Sequence, residues 1–158
     1  MTIKKRAILP LLAWITGPIL IGFFIGMLTK SSIPSWYAHL NKSPLTPPNY
    51  VFSIVWSILY ALIGISGWLI WNEKIATTKN MKLLYILQYI LNVSWSPLFF
   101  SLHLTGSALI CLIGLIATTI ALIYECYNHI KVAAILLIPY LGWLLLAVHL
   151  NWYVWKFN

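Results

Sequence analysis

An all-α integral membrane protein, built as one bundle of five transmembrane helices, follows from three features of this sequence. Hydrophobic residues make up 61% and charged residues only 8% of its 158 positions, whereas a water-soluble domain carries about 25% charge. Five apolar runs each approach the ~20 residues that a helix, rising ~1.5 Å per residue, needs to cross a ~30 Å hydrocarbon core. The runs are continuous, without the alternating ~10-residue strands of a closed barrel.

The runs cover residues 7–29, 51–71, 83–102, 107–126 and 132–150, and the whole chain, 1–158, reads as one membrane domain. Their only Asp, Glu, Lys or Arg is Glu125, one residue from a span end and able to reach the headgroups. Lys4-Lys5-Arg6 before the first run imitate a secretory signal. That run exceeds the length of a signal core and is followed by no small-residue cleavage site, so it reads as a retained helix. Leu102 to Gly106 is short enough to force an antiparallel hairpin between spans three and four, and Tyr127 to Lys131 joins spans four and five. The first connection, Lys30 to Tyr50, is long and carries Pro34, Pro44, Pro47 and Pro48. Trp36, Tyr37, Leu40 and Leu45 give it something to pack, so it reads as an ordered lid rather than a disordered linker.

Ten Lys and Arg against two acids, Glu73 and Glu125, give a formal charge of +8. The basic residues are thinly spread between apolar runs, a distribution that speaks for topology and headgroup contact and against nucleic acid. Lys4, Lys5, Arg6, Lys74, Lys79, Lys82 and Lys131 share the side of the N-terminus, while Lys30, Lys42 and Lys156 fall on the other. That bias puts the N-terminus in the cytoplasm and the long connection outside. Cys111 and Cys126, in or beside one apolar run, read as small buried residues, with no disulfide framework or metal site. His39, His103, His129 and His149 have no metal-ligand spacing on one helix. Inward carboxylate pairs, phosphate-binding glycine loops and nucleophile elbows are all missing. No acidic residue deep in a span offers a proton relay, and no inverted repeat is evident, which weighs against ion-coupled transport.

Positions three, four and seven apart share a helix face. Trp56 and Tyr60 therefore share one on span two, Gln88, Asn92, Trp95, Ser96 and Phe99 on span three, and Tyr140, Trp143, Ala147 and Asn151 on span five. Amides such as Gln88 and Asn92 are costly toward lipid and turn inward, to a neighbouring helix or to a ligand. Taken singly, each side chain serves equally well as an interhelical contact. As a set, roofed by the proline-rich connection, they suit a pocket for a flat, largely apolar ligand with a few polar groups. Pro97 should kink span three near its aromatic end. Gly22 and Gly26 form a small-xxx-small pattern assigned to packing within the chain. Trp152, Tyr153, Trp155 and Lys156 read as an interfacial belt.

Three stretches, in order, carry a family resemblance: Trp36-Tyr37-x-x-Leu40-x-Lys42-x-Pro44-x-x-Pro47-Pro48 leading into Val51-Phe52-x-x-x-Trp56-x-x-x-Tyr60; Gln88-x-x-x-Asn92-x-x-Trp95-Ser96-Pro97-Leu98-Phe99-Phe100; and Pro139-Tyr140-x-x-Trp143-x-x-x-Ala147-x-x-Leu150-Asn151. Together they resemble the TspO/translocator-protein family, once called the peripheral-type benzodiazepine receptor, from Ala7 to Trp155. Family loops commonly carry a tryptophan where this chain has Leu45, so that aromatic wall is not carried over.

The resemblance implies a bacterial member in the plasma membrane. It also implies an intrabundle cavity for porphyrins such as protoporphyrin IX and for benzodiazepine-site ligands. The matching lining is Trp36, Tyr37, Pro47, Pro48, Trp56, Tyr60, Asn92, Trp95, Ser96, Phe99, Tyr140, Trp143, Ala147 and Asn151, with Lys30 or Lys42 at the mouth for propionates. A light- and oxygen-dependent porphyrin degradation has been proposed for the family, and Trp56 and Trp143 are the oxidisable pair to expect here. The porphyrin would be ligand or substrate, with no further cofactor required. Transport of porphyrin or sterol-like lipid across the membrane is the alternative. Membrane lipid and a homodimer through span three complete the expected partners.

Overall fold

The computed structural model describes residues 8–74 and 78–158. These residues contain no strand. Five long helices carry the chain back and forth: α1 (Ile8–Thr29), α3 (Asn49–Asn72), α4 (Thr78–Ser96), α5 (Thr105–His129) and α6 (Lys131–Phe157). All five are long and apolar enough to span a bilayer. A short helix, α2 (Ser32–Ser35), and a 3₁₀ turn at Tyr37–His39 lie in the long connection. Ala7 and the Lys4-Lys5-Arg6 cluster fall outside the described residues.

Around the bundle the order is α1, α3, α6, α5, α4, and α4 touches α1 to close the ring. The core lies among α3, α4, α5 and α6, where Leu59, Ile63, Ile70, Met81, Leu112, Leu115, Leu122, Leu137 and Leu144 are buried. Ser66 donates to the Ala133 carbonyl of α6 and Tyr85 to the Ile63 carbonyl, at 3.2 and 3.1 Å. In hydrocarbon such polar ties have no water to compete with them.

Helix α1 is held differently, by close backbone approach. Pro18 has no amide hydrogen for the Trp14 carbonyl one turn earlier, and that carbonyl presses on Gly64 of α3, where any Cβ would collide with it. Likewise Gly22 leaves room for the Tyr60 ring. Gly26 departs from its expected packing role, because a side chain there would meet nothing within 4 Å. At the end of these helices remote from the long connection, Trp14, Trp71 and Tyr85 form a box, with ring centroids 4.9–6.0 Å apart.

The helices outrun the apolar segments. α6 continues through Trp152, Tyr153 and Trp155 to Phe157, and α5 runs to His129, leaving Ile130 as the break before α6. Amphipathic aromatics and lysine are as content at an interface on a helix as off one, so hydropathy stops short of the true ends. α4 starts at Thr78, before its apolar run. At Pro97 it passes into a wider π turn, Pro97–Ser101, in which Leu102 donates to the Pro97 carbonyl at 3.0 Å. The expected proline distortion thus takes the form of a change in pitch.

Candidate functional site

At the centre of the bundle, three helices bring their polar aromatic faces to one node. The Tyr60 hydroxyl donates to Asn92 Oδ1 at 3.0 Å, and Asn92 Nδ2 donates to the Tyr140 hydroxyl at 2.8 Å. Tyr140 in turn donates to Gln88 Oε1 at 3.3 Å. Tyr140 and Gln88 are fully buried and Asn92 nearly so. One turn of α4 separates Gln88 from Asn92, so both amides reach the same phenol. Trp56 closes the node from α3, 5.3 Å from the Tyr60 ring and 6.3 Å from Tyr140. The Gln88 Nε2 amide makes no hydrogen bond among the described residues, and a buried unmet donor costs about 1–3 kcal/mol.

Toward the long connection lies a second group. Trp95 Nε1 donates to Asn151 Oδ1 at 3.0 Å, and Asn151 Nδ2 donates to the Thr105 carbonyl at 2.8 Å. One amide thereby links α4, α5 and α6. Phe99 stacks on Trp95 at 5.5 Å. Trp143 meets Phe52 edge-on at 5.6 Å. Ala147 packs against the core, and Ser96 is half-buried on α4.

The long connection is fastened through four of its residues. Trp36 stacks on His103 at 4.1 Å and meets Phe99 edge-on at 5.5 Å. Tyr37 packs edge-on against Phe100 and Phe99, and its burial lifts the phenol above its ordinary pKa of 10.0. Asn41 exchanges hydrogen bonds with Asn158 at 2.8 and 3.2 Å, and the Ser43 hydroxyl lies 3.0 Å from His149 Nε2. His149 of α6 therefore engages the connection. His103 takes a left-handed φ of 56°, uncommon for a non-glycine residue. Lys42, expected at the mouth, donates to the carbonyls of Tyr37, Ala38 and Leu40 at 3.0, 2.9 and 3.3 Å. It is first a strut of the 3₁₀ turn.

Of the residues expected from sequence, Trp56, Tyr60, Asn92 and Tyr140 form one contact group. Trp36, Tyr37, Trp95, Phe99 and Asn151 form another. Tyr37, Pro47 and Pro48 also line a hollow of about 640 Å³ in the connection. His103, Ser43 and Thr105 were not among the expected site residues. A histidine in a five-residue hairpin facing a long tryptophan-bearing loop was the one available signal for His103.

The architecture and its core define a class: a five-span helical membrane protein whose interior is built from indoles, phenols and amides. The chain belongs to the TspO/MBR family, whose sequence profile matches residues 14–156. It is 38% identical over 151 residues to the Tryptophan-rich protein TspO of Archaeoglobus fulgidus, covering 96% of this chain and 98% of that one. It is 35% identical over 137 residues to the Tryptophan-rich protein TspO of Bacillus cereus, covering 86% and 89%. Against the human Translocator protein it is 36% identical over 126 residues, covering 78% and 75%.

Proposed function

We propose that this membrane protein binds a porphyrin of the protoporphyrin IX type, and benzodiazepine-site ligands, inside the helix bundle with the long connection as a lid. The observation that supports the reading best is the Tyr60–Asn92–Tyr140 node with Trp56 packed on it. It offers aromatic faces for a macrocycle and exchangeable hydrogen bonds for its polar edge. Trp143, Ala147 and Trp95 extend the apolar wall. Admitting a ligand requires the Tyr60–Asn92–Tyr140 links to part, and at about 1 kcal/mol each a flat aromatic ligand offsets that loss. The lysine asymmetry supports a cytoplasmic N-terminus in a bacterial plasma membrane.

Tryptophan quenching during a protoporphyrin IX titration tests the reading. Removing Trp56, Asn92 and Trp143 together should weaken binding by tenfold or more, and unchanged affinity would overturn it. A photo-oxidative activity is the extension, since an excited porphyrin with dioxygen produces oxidants that attack an indole at contact distance. Trp56→Phe and Trp143→Phe should each retain binding and lose the light-driven spectral change. Bleaching at the wild-type rate in both would make these indoles spectators. The name of the mammalian relatives, Translocator protein, favours transport of a porphyrin or sterol-like lipid as the second reading. Liposomes loaded with ligand on one side distinguish it.

A further inference from the structure

The hollow in the long connection has a chemistry of its own. Ile33, Pro34, Tyr37, Ala38, Lys42, Ser43, Thr46, Pro47, Pro48 and Asn49 surround about 640 Å³, and none of the bundle's tryptophans contributes to it. Lys42 supplies a fixed positive charge, its ammonium pinned by three carbonyls and 5.2 Å from the Tyr37 ring centroid. Neither glutamate of the chain can neutralise it. Glu73 follows the far end of α3 and Glu125 lies near the far end of α5, both at the opposite end of the bundle. At this end stand Lys30, Lys42 and Lys156.

The donors are unspent as well. The Tyr37 phenol, the Thr46 hydroxyl and the Asn49 amide make no hydrogen bond among the described residues. Asn49 opens α3, a 24-residue helix with no side-chain cap and no acid in its first turn, so its amide hydrogens and dipole add to the positive field. A cation with neither glutamate near it, three polar side chains that bond to no other described residue and a volume to hold a guest occur in one place.

We infer that this hollow is an oxyanion site, receiving a carboxylate of a bound ligand or the phosphate of a lipid headgroup. Lys42 contributes field rather than a direct bond, since its hydrogens face carbonyls. Thr46, Asn49, Tyr37 and the first turn of α3 supply the hydrogen bonds, which are strengthened by the anion's charge. The site deepens the porphyrin reading, because the same segment that lines the hollow is the proposed lid. An anion seated there would hold it closed.

The test compares protoporphyrin IX with its dimethyl ester, which keeps the ring and loses both carboxylates, in phosphatidylcholine nanodiscs. The wild type should bind the diacid about tenfold more tightly than the ester, the worth of one charge-assisted hydrogen bond. The double variant Thr46→Val with Asn49→Leu should lose that preference and keep the ester affinity. Lys42→Met should also lose the preference, but it removes the strut of the connection as well, so the double variant decides. If the anion is a lipid phosphate, native mass spectrometry from phosphatidylglycerol nanodiscs should show one retained phosphatidylglycerol that the double variant releases. Equal affinity for acid and ester in the wild type, with no lipid whose retention depends on Thr46 and Asn49, overturns the inference. If neither porphyrin binds, the porphyrin reading fails, and the lipid measurement alone decides the hollow.

Discussion

The two ends of the bundle use the same residue types to opposite effect. Away from the long connection, Trp14, Trp71 and Tyr85 pack on one another and on the glycine notch of α3, and the Tyr85 hydroxyl donates to a main-chain carbonyl. Nearer the connection, tyrosine and tryptophan bond to amide side chains, at Tyr60–Asn92, Asn92–Tyr140 and Trp95–Asn151. A phenol bonded to a main-chain carbonyl faces an acceptor fixed by the helix. A phenol bonded to a side-chain amide has a partner that can itself rotate away. Aromatic content alone therefore does not mark a binding site; the partner of each aromatic does.

Enlarging the notch should break the first end most severely. Gly64→Val drives a side chain into the Trp14 backbone and should destabilise the bundle by about 3 kcal/mol. Thermal unfolding in detergent measures it, and the folded fraction should retain its ligand affinity. At the second end, Asn92→Ala removes the acceptor of the Tyr60 hydroxyl and leaves the buried Tyr140 only its bond to Gln88, and should cost about 2 kcal/mol. Unlike the glycine variant, it should weaken ligand binding in the protein that remains folded.

Smaller effects belong to the connection. His103→Ala removes the stack on Trp36, worth about 1 kcal/mol, and should speed hydrogen exchange in residues 32–42 while leaving α3 and α5 unchanged. The smallest is a pH effect. Burial raises the Tyr37 phenol above 10.0, so the docked loop holds its proton more tightly than the undocked one does. Docking is then at full strength below pH 10 and weakens as pH rises through the range above it. Tyr37→Phe should abolish that alkaline weakening, as read by exchange in the same segment.

Much of this was legible in the sequence, for identifiable reasons. Hydrocarbon thickness fixes span length, so the five helices could be counted. Helical periodicity placed Gln88, Asn92, Trp95 and Phe99 on one face, and Gln88, Asn92 and Phe99 are buried together. Helix ends were less legible, since Trp152 to Phe157 satisfy an interface in any conformation. Gly26 shows why a small-residue pattern is ambiguous: Gly22 faces Tyr60, whereas Gly26, one turn on, faces nothing. Contacts between distant segments, such as Ser43 with His149 and Asn41 with Asn158, leave no local signal at all. Lys42 was expected at the mouth to meet propionates, because sequence does not reveal that a lysine can cap the turn preceding it.

Hydrogen exchange on adding protoporphyrin IX tests the central claim most directly, because it asks which end of the bundle responds. Protection should appear in residues 36–48, 52–60, 88–99 and 140–151, and be absent from 64–72 and 78–85. Protection centred on 64–72 and 78–85, or spread evenly along exposed α1 with none at the Asn92 node, would contradict the account.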